Sequence, residues 1–295
     1  MAHLQDRRVQ NVDGNFYVDS SCIDCDTCRW IAPQVYGREG SQSIVHHQPV
    51  TDAERIMALE ALLACPTASI GTEDKPTDIK QIQQRFPQKI EGSVFYCGYH
   101  SKQSYGAASY FIQSDRGNIL IDSPRFTPPL VKRLEAMGGV RYLYLTHRDD
   151  VADHEKIHQH FGCERILHHQ DVTSGTQQVE MQLTGLEPFE LADDVLIIPQ
   201  PGHSQGHTVL FYQGKYLFTG DHLAWSARLE HLYAFRTFCW DSWPRQIESM
   251  KALSQYTQNY QFEWILPGHG RRFHASAEEM ETHMKTCLQW MSAVA

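Results

Sequence analysis

The sequence predicts a layered α/β fold for residues 93–295, preceded by a small cysteine-rich α+β domain. Short apolar runs of strand type alternate with helical patterns throughout the larger part. Four of the eight cysteines lie within residues 1–75, ahead of a polar stretch with two prolines at 76–92. These observations predict a first domain at 1–75, a linker at 76–92 and a second domain at 93–295.

In the first domain, the apolar residues of 15–19 and 43–47 predict two strands. Thr51 and Glu54 are three residues apart and precede an amphipathic stretch, which is the spacing of a capping box. We therefore expect a helix that begins after Thr51 and runs towards Ala64.

The second domain begins with a predicted hairpin and continues with alternating elements. Residues 110–114 and 118–122 are apolar and flank turn residues, which is typical of a β-hairpin. Pro128 and Pro129 favour the first turn of a helix that ends near Met137. Further strands are predicted at 141–145, 194–199, 208–212, 215–219 and 262–266, and further helices at 154–161, 243–257 and 276–291.

The composition excludes several functional classes. With 41% hydrophobic and 21% charged residues, the chain is globular rather than disordered. No apolar run approaches the roughly 18 residues that span a bilayer, and the first residues lack the apolar core of a secretory signal. We therefore expect a cytoplasmic protein without a membrane partner. The 35 acidic and 26 basic residues give a net charge of −9, which disfavours a nucleic-acid partner because phosphate contacts need a basic face.

The early cysteines have the spacing of iron–sulfur ligands. Cys22, Cys25 and Cys28 are separated by two residues each, and Cys65 is followed by a proline. Zinc usually takes paired two-cysteine knuckles, and disulfides are rare in a chain without an export signal, so both alternatives fit this pattern less well. Residues 15–70 resemble a one-cluster ferredoxin, and the resemblance implies that these four cysteines hold a [4Fe–4S] cluster.

In the second domain, histidines and aspartates follow strand-like runs in turns rich in glycine or aspartate. Such turns project side chains from strand ends into one crevice. Imidazoles together with carboxylates suit zinc, iron or manganese. The candidates, in chain order, are His147, Asp149, Asp153, His154, His203, Asp221 and His269. His207, four residues after His203, is expected to form hydrogen bonds within its turn or to contact substrate.

The order of these motifs resembles the metallo-β-lactamase superfamily, typified by the glyoxalase II-like hydrolases, over residues 93–295. The resemblance implies an αββα sandwich of two mixed sheets and a pair of divalent metals, zinc or iron. It implies catalytic roles for Asp221 and Asp153. The implied ligands are His147, Asp149 and His203 for one metal, Asp153, His154 and His269 for the other, and Asp221 between them.

The first motif departs from the pattern of the superfamily. The Asp153–His154 pair comes two residues later than usual, so the loop carries an insertion. Asp149 stands where most members have histidine, and an acidic residue there is shared with the di-iron, flavodiiron-type branch. If the insertion falls earlier, Asp150 is the ligand instead of Asp149.

Three functions remain open at this point. The first is a metal-dependent hydrolase of a small ester or thioester, fused to an iron–sulfur module. The second is an oxidoreductase whose di-iron centre receives electrons from the cluster, supplied by a redox partner protein; Asp149 and the fusion favour it. The third is a non-enzymatic redox-responsive protein. The first leads, with a small molecule as its partner.

Overall fold

The computed structural model describes residues 2–260 and 262–294, and these form two compact units. The first unit contains the chain up to Arg141 together with Ala152–Cys163, and the second contains Tyr142–Val151 together with the chain from Glu164 onward. No helix among the described residues is long and apolar enough to cross a membrane. The domain boundaries at 75 and 93 stay a prediction.

The first unit begins with small antiparallel pairs and two helices. Its elements up to residue 72 are β1 (Phe16–Val18), α1 (Thr27–Ile31), β2 (Tyr36–Glu39), β3 (Gln42–Val45), α2 (Asp52–Ala64) and β4 (Ile70–Thr72). Strand β1 pairs with β4, and β2 pairs with β3. The predicted capping box of α2 is confirmed, because Thr51 Oγ1 accepts from Glu54 N at 3.2 Å and Glu54 Oε2 accepts from Thr51 N at 3.1 Å. The capping box therefore fixes the start of α2, the helix that ends at Ala64 immediately before Cys65.

The rest of the first unit contains a run of four antiparallel strands. Its elements are α3 (Ile79–Gln83), β5 (Gln88–Glu91), β6 (Val94–Tyr96), β7 (Tyr110–Ile112), β8 (Ile119–Ile121), α4 (Pro128–Ala136) and α5 (His154–Phe161). Consecutive strands pair from β5 to β8, which confirms the predicted hairpin of β7 and β8. The segment predicted as a linker contains α3 and β5.

The second unit contains a parallel group, a six-stranded sheet and two long helices. The parallel strands are β9 (Tyr142–Tyr144), β10 (Glu164–His168) and β11 (Met181–Leu183). The remaining elements are β12 (Phe189–Ala192), β13 (Val195–Pro199), β14 (Thr208–Tyr212), β15 (Tyr216–Gly220), β16 (Ala224–Ser226), β17 (His231–Tyr233), α6 (Trp243–Asn259), β18 (Trp264–Pro267), β19 (Phe273–His274) and α7 (Ala277–Ala293). The sheet has the order β12, β13, β14, β15, β18, β19, and β16 pairs with β17.

Strands β14 and β15 are buried along their whole length, as their continuous apolar sequence requires. Helices α6 and α7 supply Met250, Leu253, Met280 and Met284 to the core beside this sheet. Close packing of such a core leaves the strand ends little freedom. The core therefore fixes the positions at which the turns after β14, β15 and β18 begin.

Strand pairing brings the chemically active turns together. Strands β15 and β18 are parallel, so Asp221 and His269, which follow their carboxyl ends, share one edge of the sheet. Thr208 N, at the start of β14, donates to Thr146 O at 2.9 Å. That bond places His147 beside the turn that carries His203.

Candidate metal centre and cluster site

The four early cysteines lie near one another and form no disulfide. The pKa of Cys25 is raised to about 11, mainly by burial and with contributions from the charges of Cys65 and Cys22. Burial also raises the pKa of Cys28 well above its ordinary value, with contributions from Cys25 and Cys65. Mutual electrostatic effects of this kind require neighbouring thiols. Cys28 and Cys65 are buried and Cys22 and Cys25 are partly buried, so the four become thiolates together readily only when a cationic group compensates their charge.

Polar groups surround the sulfurs in a way that suits a cluster. Ser43 N donates to Cys22 Sγ at 3.4 Å, and Ser69 N donates to Cys65 Sγ at 3.3 Å. Gly106 has a φ of +91°, and a Cβ there would come within 2.8 Å of Cys25 Cβ. N–H donors to sulfur and a close backbone approach are both features of iron–sulfur sites. The residues present therefore fit a [4Fe–4S] cluster.

In the second unit, His147, Asp149, His203 and Asp221 converge. His147 Nε2 lies 3.7 Å from Asp149 Oδ2 and 3.8 Å from Asp221 Oδ2. His203 Nε2 lies 3.9 Å and 3.8 Å from the same two oxygens. These separations are too long for hydrogen bonds and close to the roughly 3.4 Å that separates ligand atoms around a tetrahedral metal with bonds of about 2.1 Å. His147, Asp149 and His203 fit one metal ion, since their ligand atoms lie within 4.8 Å of one another, and Asp221 adjoins this group.

Their protonation also fits a metal. Burial lowers the pKa of His147 to about 3 and lowers that of His203, so both imidazoles are neutral at physiological pH. His147 Nδ1 lies 3.0 Å from Thr146 Oγ1, whereas Nε2 is buried and has no hydrogen-bond partner among the described residues. Both ring nitrogens of His203 are likewise buried without a partner in the described part of the chain. Neutral imidazole nitrogens left without a proton partner are what a divalent metal binds.

A second donor group overlaps the first and contains Asp150. Ligand atoms of His147, Asp150 and Asp221 lie within 4.8 Å of one another, as do those of His147, Asp149 and His203. Asp150 is 1% exposed, whereas the side chain of Asp149 is 45% exposed. The structure thus places both carboxylates beside His147, whereas the sequence treated them as alternatives.

Asp221 connects this group to His269. His269 Nδ1 lies 2.8 Å and 2.9 Å from the two carboxylate oxygens of Asp221, and His269 N donates to Oδ1 at 3.1 Å. Although burial raises the pKa of Asp221, the charge and hydrogen bond of His269 bring it below its ordinary value. A Cβ on Gly268 would lie 2.6 Å from Asp150 Oδ2, so glycine leaves room for these carboxylates.

Asp153 and His154 are not part of these donor groups. They belong to the first unit, at the start of α5. Asp153 Oδ2 accepts from Phe126 N at 2.8 Å, and Oδ1 forms an ion pair with Lys156 at 2.6 Å. Both oxygens of Asp153 are therefore engaged. Within the second unit, Asp150 lies next to His147 and Asp221. The metal-binding roles of Asp153 and His154 and the catalytic role of Asp153 stay predictions.

Two further buried histidines accompany the centre. His207 Nε2 accepts from Asp221 N at 3.2 Å, a bond that reaches beyond its own turn. His222, which sequence reasoning missed, has its ring 5.7 Å from that of His207, and burial lowers its pKa to about 3. The sequence signal that could have found His222 is its position directly after Asp221. The ring of His207 therefore supports the turn that carries Asp221, and the ring of His222 packs near it.

Solved structures with similar folds include three that cover about the same share of this chain. TMB-1 is 16% identical with a TM-score of 0.55, over 70% of this chain and 97% of that one. A metallo-β-lactamase from Hirschia baltica is 14% identical with a TM-score of 0.52, over 68% and 95%. One from Pontibacter korlensis is 17% identical with a TM-score of 0.51, over 68% and 97%. The protein has the metallo-β-lactamase fold.

The metallo-β-lactamase fold confirms the architecture predicted for the larger part of the chain. Residues 18–72 match the family model described as the 4Fe-4S single cluster domain of Ferredoxin I, which confirms the predicted iron–sulfur module. No curated protein sequence matches this chain significantly. The protein therefore combines an iron–sulfur module with a metallo-β-lactamase fold.

Proposed function

We propose that this protein is a metal-dependent hydrolase of a small ester or thioester. The observation that carries the proposal is the convergence of His147, His203, Asp149 and Asp221, with nitrogen–oxygen separations of 3.7–3.9 Å. Bound divalent metals supply an activated water at neutral pH and polarise the substrate oxygen. The proposal is supported by the position of Asp221 and His269 after the carboxyl ends of the parallel strands β15 and β18, where α/β sheets commonly bind ligands.

Within this proposal, His147, Asp149 and His203 hold the first metal. Asp150 and Asp221 hold the second, with His269 orienting Asp221 through the bonds at 2.8 Å and 2.9 Å. Asp221 Oδ2 lies 3.8 Å from Nε2 of both His147 and His203, so its carboxylate adjoins both donor groups and would accept a hydrogen bond from the attacking water. Asp153, His154 and His269 remain the ligands that the sequence alone proposes for the second metal, and Asp153 remains a candidate for catalysis.

Metal analysis of anaerobically purified protein tests the proposal directly. We expect about four irons and two zincs per chain. The same preparation should hydrolyse generic thioesters, and Asp221→Asn should abolish that turnover while the four irons remain. About four irons with no second metal, or full activity in the variant, would contradict the proposed site.

A second candidate is an oxidoreductase with a di-iron centre. Asp149 favours it, because a carboxylate in place of histidine is an oxygen ligand that suits iron. The iron–sulfur module on the same chain offers an electron supply, which a redox partner protein would refill. About six irons and no zinc would select this function over the hydrolase. Either enzyme suits the cytoplasm, where thiols are kept reduced.

A further inference from the structure

A buried carboxylate connects the two turns that carry the metal donors. Asp171 is fully buried and ends a short 3₁₀ helix, His169–Asp171, that directly follows β10. Its Oδ2 accepts from Arg148 N at 3.1 Å and from Ser204 Oγ at 2.5 Å. Its Oδ1 accepts from Gly206 N at 2.8 Å. Arg148 directly follows His147, and Ser204 directly follows His203, so one side chain binds next to two proposed ligands.

The carboxylate is compensated by these hydrogen bonds alone, since Asp171 forms no ion pair with any described residue. Burying a charge without a cationic partner is costly, and three donors offset only part of that cost. A cation bound at the donors would complete the compensation.

The turn around Gly206 is shaped to reach this carboxylate. A Cβ on Gly206 would lie 2.7 Å from Asp171 N and 2.9 Å from His168 Nδ1. Because contacts this short displace the backbone, only glycine permits the hydrogen bond from residue 206. His168 Nε2 in turn lies 3.0 Å from Gly185 O, which connects the start of the 3₁₀ helix to the loop that follows β11.

We propose that Asp171 is a positioning residue that holds the 147–150 turn and the 203–206 turn in the spacing required by the metal. It touches neither metal nor substrate and acts through His147, Asp149 and His203. Groups that orient metal ligands in this way typically change metal affinity by about 10–100-fold when they are removed. The proposal rests on the metal site of the proposed function but not on the reaction that the site performs.

The test measures zinc affinity by chelator competition and thermal unfolding of the zinc-free protein. Asp171→Asn keeps the volume but replaces one acceptor oxygen with a donor, so we expect the Kd for zinc to rise about 10–100-fold. Ser204→Ala removes a single bond and should raise the Kd less. Asp194→Asn is the matched control, because it removes a carboxylate of the same unit whose hydrogen bond, to Gln213 at 3.4 Å, lies away from the donors. It should leave the Kd unchanged.

A role in folding alone would lower the unfolding temperature of the zinc-free protein and leave the Kd of the folded fraction unchanged. A lowered unfolding temperature with an unchanged Kd would overturn the proposal. A Kd for zinc equal to that of the wild type in both Asp171→Asn and Ser204→Ala would also overturn it. If Asp171→Asn fails to fold, Ser204→Ala decides by its Kd. A wild-type protein that binds zinc but hydrolyses no thioester would contradict the proposed function only, since the affinity comparison remains valid.

Discussion

At the scale of single residues, the carboxylates after His147 have unequal environments. Asp150 is buried beside Asp221, and both oxygens of Asp153 are engaged by Phe126 and Lys156. We therefore expect Asp150→Asn to reduce bound zinc from two ions to one, because an amide is a much weaker ligand than a carboxylate. Asp153→Asn serves as the comparison and should retain both ions. The zinc content per chain distinguishes the two assignments. Loss of one zinc in Asp153→Asn and none in Asp150→Asn would show that Asp153, not Asp150, binds the second metal.

The buried histidines predict a pH dependence for the metal-free protein. Burial lowers the pKa of His222 from 6.5 to about 3, so its ring stays neutral in the folded state between these values. The unfolded chain takes up that proton once the pH falls below 6.5, and the free energy of unfolding therefore decreases as the pH falls towards 3. His147 contributes in the same direction.

His222→Leu isolates one of these contributions. The variant should lose less stability than the wild type between about pH 7 and pH 5, because leucine binds no proton in either state. Urea unfolding at both pH values, with chelator present, measures the difference. Equal losses in the two proteins would mean that His222 is protonated in the folded state as well.

At the scale of elements, the capping box of α2 fixes the start of the helix that leads to Cys65. Thr51→Ala removes the hydroxyl that accepts from Glu54 N and should lower the free energy of unfolding by about 1 kcal/mol. Thr51→Ser keeps the acceptor and should be close to wild type. Denaturant unfolding measures both, and equal loss in the two variants would attribute the effect to packing of the methyl group.

Elements with a clear periodic or turn signal were predictable. Strands β13, β14, β15 and β18 and helices α6 and α7 lie where their apolar patterns indicate. Strands β5, β10, β11 and β12 were not predicted, because runs of three to five residues give no clear periodic signal and their stability comes from pairing with neighbours. The local sequence does not determine that pairing.

At the scale of the whole molecule, the cysteines belong to the first unit and the converging donors to the second. Cys65→Ala should therefore remove the cluster, because four thiolates are needed to hold it, and leave the zinc content unchanged. Iron and zinc are measured in the same sample together with the visible absorption of the cluster. Loss of both metals from a folded protein would show that the two sites depend on each other.

The sequence by itself determined the two modules, the four cysteines and the order of histidine and aspartate turns, because these depend on spacing along the chain. Tertiary structure decided which carboxylates meet His147. Asp149 and Asp150 both lie beside His147, and only the packed turns show that Asp150 also lies beside Asp221. It also disclosed Asp171, whose three hydrogen bonds join turns more than 50 residues apart in sequence. Such contacts arise when strand ends are brought to one edge of a sheet, which no local pattern specifies.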